Sequence, residues 1–103
     1  MTAFTTPTYT LTFPEGTSFS GTTDLYVTLV QGSRRITKTR EDGAVTVSGN
    51  ILSVGLTQAE SGIFRPNVPV EIMVNWTYAD GKRGASDITT VTVGKNLIPE
   101  VLA

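Results

Sequence analysis

The chain contains no cysteine and no histidine. Without cysteine there are neither disulfides nor thiolate metal sites. Without histidine the usual general base and the commonest transition-metal ligand are missing. Zinc chemistry and Ser-His or Cys-His nucleophilic catalysis are therefore excluded on inventory. A dominant charge is lacking too: eight Lys and Arg face nine Asp and Glu, for a formal net charge of −1. Such a chain has no global field to draw it to nucleic acid or an anionic membrane. No apolar run approaches the roughly 18–20 residues that span a bilayer. The opening stretch MTAFTTPTYT has neither a basic start nor an apolar core, so no signal peptide is expected. The expected setting is the cytoplasm, unless something larger carries the chain out. There, Asn75-Trp76-Thr77 fits the glycosylation sequon only by chance.

Threonine is what the chain has in excess, eighteen among 103 residues. Its β-branched side chain favours pleated, half-buried surfaces over helices. A chain of this length reads as one domain able to bury a core unaided. The domain is expected to span 1–103, with an N-terminal arm over 1–7 and a C-terminal tail over 94–103.

Period-two alternation marks the strands. Thr8–Pro14 sets Tyr9, Leu11 and Phe13 on one face. Asp24–Gln31 does the same with Leu25, Val27 and Leu29, and Arg34–Arg40 has Ile36 as its main apolar anchor. Asp42-Gly43 turns the chain into Ala44–Ser48, and Gly49-Asn50 turns it again into Ile51–Leu56. Val68–Tyr78 is the longest segment, with Val70, Ile72, Val74 and Trp76 facing inward. A hairpin at Ala79–Lys82 leads to a last strand over 83–93, in which Ile88 and Val91 fall out of phase and predict a bulge near Thr89-Thr90. About seven antiparallel strands with frequent turn signals predict an all-β, immunoglobulin-like β-sandwich. A small barrel is the alternative, because alternation does not say whether a sheet closes.

One segment breaks the alternation. Thr57-Gln58-Ala59-Glu60 reads as a helical turn near 57–62, with Thr57 and Glu60 at capping-box spacing. A strand that leaves one sheet for the other loses its ladder partners, and one helical turn satisfies some of those groups locally. Ile63 and Phe64 are expected to close over one end of the core.

Candidate chemistry is sparse. The nine carboxylates lie mostly at turns and strand ends, without the held pair of a glycosidase or a calcium-loop pattern. Asp87 is unusual inside a strand; pairing with Arg83 or Lys82, or accepting backbone bonds at an edge, would account for it. Trp76 belongs to the inward face of its strand, and the glycines lack phosphate-loop spacing. No enzymatic activity, cofactor, metal, nucleic acid, membrane or small-molecule substrate is expected. Two groups remain as candidate interface residues. Arg34, Arg35, Lys38 and Arg40 crowd one strand, either as a solvated edge that discourages aggregation or as a docking surface for an acidic partner or nucleic acid, though no aromatic interleaves the charges as single-strand binding needs. Phe4, Leu97, Ile98, Val101 and Leu102 are apolar but lie outside the strand pattern. They either fold over an open core edge or lie on a neighbour.

The order DLYVTLVQG, ITKT, LSVGLTQAESGIF and VEIMVNWTYADGKRGASDITTVTV resembles small β-proteins of bacteriophages and prophages of Gram-positive bacteria. That family typically has a strand ending in Gln, a Lys-bearing strand, an LTQEET-like turn, a long strand and a short apolar tail. Order and spacing carry the likeness, over about four-fifths of the chain. Ser61-Gly62 departs from it, standing where Thr and a helix-favouring residue are usual. The resemblance implies a virion structural or tail-associated protein, made in the bacterial cytoplasm and partnered by other phage proteins or by copies of itself. The rival expectation is an immunoglobulin-like binding module that recognises a host glycan or protein through loops such as Glu15–Thr23.

Overall fold

A computed structural model describes residues 1–102. Ala103, the last residue of the expected domain and tail, lies outside the described residues. Eight strands and one helical turn follow in order: β1 (Thr8–Thr12), β2 (Thr22–Gln31), β3 (Arg34–Thr39), β4 (Val45–Ser48), β5 (Ile51–Gly55), α1 (Gln58–Gly62), β6 (Pro69–Tyr78), β7 (Arg83–Ala85) and β8 (Thr89–Thr92). They form two antiparallel sheets, a three-stranded β1-β5-β4 and a five-stranded β3-β2-β6 with β7 and β8 sharing the far edge of β6.

The strand order is that of an immunoglobulin-like sandwich. β1, β5 and β4 take the places of strands B, E and D, and β3, β2, β6 and β7–β8 those of C′, C, F and G. The arm makes a parallel bridge from Thr2 to Gly94, just past β8. No Cys pair joins the sheets, and a core of aliphatic and aromatic side chains packs between them. Leu25, Val27 and Leu29 of β2 lie beside Trp76, Val74 and Ile72 of β6 in register. Val45, Leu52 and Val54 bury themselves from the opposite sheet. Each such side chain contributes about 1.5–3 kcal/mol when taken fully out of water.

Trp76 is half-buried and makes edge-to-face contacts with Phe13 and Phe19, with centroids 6.3 and 5.6 Å away. Its ring lies over Gly84, where a Cβ would fall within 3.0 Å of the indole. The expected core role of Trp76 holds at the sandwich's aromatic end.

The last strand differs from expectation. Pairing breaks at Ser86–Ile88, before the predicted position at Thr89-Thr90, and leaves two strands. Ser86 causes the break. Its amide donates to the Val74 carbonyl at 2.8 Å and its Oγ accepts from the Val74 amide at 2.9 Å. A side-chain oxygen thus stands in for a main-chain rung, and regular pairing resumes at Thr89 opposite Ile72. Asp87 is exposed and pairs with neither Arg83 nor Lys82; Arg83 donates to Asn75, and Lys82 lies 3.9 Å from Asp80.

α1 lies on the crossing from β5 to β6, between the two sheets. The capping box forms in full: the Glu60 amide donates to Thr57 Oγ1 and the Thr57 amide to Glu60 Oε1. Phe64 closes the core as expected, at 2% exposure, but Ile63 does not, at 39%. Ile63, the helical C-cap of the turn, lines a surface groove instead.

Candidate functional site

Three segments meet around one groove: the arm, the stretch after α1 and the beginning of the tail. Two buried polar side chains hold them in place. Ser61, fully buried, accepts from the Thr5 amide at 3.0 Å and donates to the Thr5 carbonyl at 2.7 Å. Gln31, at the end of β2, donates to the carbonyls of Arg65 and Val68 and accepts from the Arg65 amide. A buried amide with three partners fixes that loop against the sheet, since leaving any of them unmet costs about 1–3 kcal/mol. Ala3 donates to the Gly94 carbonyl, and Asn96 Nδ2 donates to the Ala3 carbonyl at 2.9 Å.

Ser61 and Gly62 each have a physical role here. Phe4, in the left-handed region at φ 59°, lays its ring against Gly62. A Cβ at residue 62 would fall within 3.0 Å of three ring carbons. Serine ties the arm at Thr5, and glycine makes room for the arm's aromatic ring.

The groove encloses about 380 Å³ and is lined by Ala3, Phe4, Gly62, Ile63, Phe64 and Pro66. Arg34, Arg65 and Lys95 stand at its sides, and none of its lining residues is acidic. Among the described residues, none of these three cations is paired with a carboxylate. A larger hollow of about 450 Å³ lies between the beginning of β2 and the end of β3, with Asp24, Arg40 and Glu41 on its walls. Arg40 there donates to the Thr22 carbonyl at 3.0 Å. No group of three or more His, Cys, Asp or Glu is placed to hold a metal among the described residues.

The candidate interface residues divide sharply. Lys38 grips both oxygens of Glu60 at 2.9 and 2.7 Å, and Arg40 holds Thr22, so both face inward and hold the fold together. Arg34 joins the groove, whereas Arg35 is exposed on the outer face of the five-stranded sheet. Phe4 is half-buried against the core. Leu97, Ile98, Val101 and Leu102 remain in solvent, at 87, 50, 55 and 54% exposure. Their backbone is nevertheless anchored: the Leu102 amide donates to Gln58 Oε1, and Gln58 Nε2 donates to the Leu102 carbonyl. Thus the arm folds back and the tail presents its side chains. Ser61 and Gln31 were missed as site residues, because their partners lie far away in sequence.

Burial by itself would raise the Glu60 carboxyl, but the Lys38 ammonium and the Thr57 amide outweigh it and hold Glu60 below its ordinary 4.5. No helix is long and apolar enough to cross a membrane among the described residues.

No family model matches the chain, and no curated protein matches it. Among solved structures, murine CRIg is similar at 12% identity, covering 93% of this chain and 89% of that one, with a TM-score of 0.41. The immunoglobulin-like assignment stands on the strand order and register themselves.

Proposed function

We propose that this sandwich is a non-enzymatic assembly protein, a structural component of a bacteriophage or prophage particle that works through protein–protein contacts. One observation carries the reading: an anchored tail that displays four aliphatic side chains beside an apolar groove. Aliphatic residues presented together on a fixed backbone mark a contact surface, because isolation in water has no compensating gain. The resemblance of the strand order and turn to small phage proteins supports the particle setting. Disrupting the gene in a producing cell and imaging the particles by electron microscopy tests it. Incomplete or missing particles are expected, with restoration by the gene supplied separately. Normal, infectious particles would count against the role.

The rival reading, recognition of a host glycan or protein by the Glu15–Thr23 loop, has less to build on. The loop's aromatic residue, Phe19, is buried against Phe13 and Trp76, so it offers no ring for a sugar to stack on.

A further inference from the structure

The tail and the groove lie side by side, and each lacks what the other offers. Lys95, Asn96 and Pro99 form one wall of the groove while Leu97, Ile98, Val101 and Leu102 stand in solvent. These four are aliphatic side chains left at least half exposed along one short segment, and apolar surface gathered in this way marks a contact. Charge completes the match. Glu100 is the one charged residue after Lys95. The groove holds Arg34, Arg65 and Lys95 with no carboxylate among its lining residues.

We infer that the occupant of the groove is the tail of a second copy of this chain. The two copies form a two-fold dimer, in which each tail lays aliphatic side chains in its partner's groove and Glu100 meets the partner's cations. This rests on the assembly reading above and names the partner. A two-fold arrangement follows from position. Because tail and groove adjoin on one surface, a single axis makes both contacts at once and closes the pair, where a head-to-tail contact would propagate into a fibre. Gln58 holds the tail's far end to the body, so little chain entropy remains to be lost on contact.

Sedimentation equilibrium of the full chain, from micromolar to millimolar concentration, tests the inference. Twice the chain mass is expected at the upper end. Leu97→Asp, at a site 87% exposed in its own chain, is expected to abolish dimerisation with an unchanged circular dichroism spectrum and melting temperature. Glu100→Lys is expected to weaken it at least tenfold, as is Arg65→Glu combined with Lys95→Glu. Mixing those two variants restores a heterodimer, because one tail then meets its native groove and the other meets a groove of reversed sign. A single-chain mass at every concentration overturns the inference, as does a dimer indifferent to Leu97→Asp. If such a monomer is still found in purified particles, the dimer falls and the assembly role stands.

Discussion

Lys38 and Glu60 lie 22 residues apart in sequence and meet in a two-pronged ion pair, with Nζ–Oε distances of 2.9 and 2.7 Å. The same carboxylate accepts the Thr57 amide at 2.8 Å, so one side chain caps the crossing turn and ties it to edge strand β3. Lys38 and Glu60 are 15 and 25% exposed, intermediate between a screened surface pair and a buried one. A helical turn at this point lets the chain pass between sheets with its polar groups met. Glu60→Gln is expected to cost about 1–2 kcal/mol, through lost charge-assisted bonds and not through packing. A double-mutant cycle with Lys38→Met measures the pair itself, with a coupling of about 0.5–1 kcal/mol expected. Zero coupling would leave Glu60 as a cap alone.

Acid should find the same residue. Glu60 is depressed in the folded protein, so its contribution is complete above the ordinary value of 4.5 and is lost as pH falls through the lowered folded-state value. Asp42 adds in the same direction, held down chiefly by the Ala44 amide. Denaturant melts from pH 6 to 2 are expected to show stability falling below about pH 4.5. The Glu60→Gln protein should give a shallower slope; an identical slope would remove Glu60 from the acid response.

Gly62 and Phe4 give a prediction of reversed sign. Gly62→Ala alone is expected to destabilise, because the new methyl falls inside the Phe4 ring and must displace it from the core, a clash that the gain in helix propensity of about 1 kcal/mol does not offset. In a Phe4→Ala background the clash is gone, and the same substitution should stabilise. Thermal melts of the four proteins decide it, and a destabilising effect in both backgrounds would contradict the contact.

Tyr9 carries a buried hydroxyl with no hydrogen-bond partner among the described residues. Tyr9→Phe is expected to stabilise by about 1 kcal/mol, since it removes a desolvated group and leaves the ring in place. Burial also raises the Tyr9 hydroxyl above 10.0. The hydroxyl's cost is therefore constant below that value and grows as pH rises past it, because the unfolded chain then ionises before the folded one. Urea melts of the two proteins at pH 7 and 10.5 check both effects.

Alternation made β2 and β6 legible, because each buries one face and the pattern is local. The cap at Thr57 was legible for the same reason, since both halves of the box lie within four residues. The break at Ser86 was not, as it depends on a serine reaching a rung of a neighbouring strand. Arg34, Lys38 and Arg40 crowd one stretch of the sequence, yet only the fold brings Glu60 beneath Lys38 and the Thr22 carbonyl beside Arg40. Phe4 and the tail residues read alike as apolar ends. Ser61 and Gly62 separate them, by giving Phe4 a seat and leaving the tail's side chains exposed.

Quantitative mass spectrometry of particles banded on a density gradient bears most directly on the assembly role. The chain is expected at a fixed ratio to the other particle proteins across the band. Its absence from banded particles, with the full amount recovered in the unassembled fraction, would contradict that role.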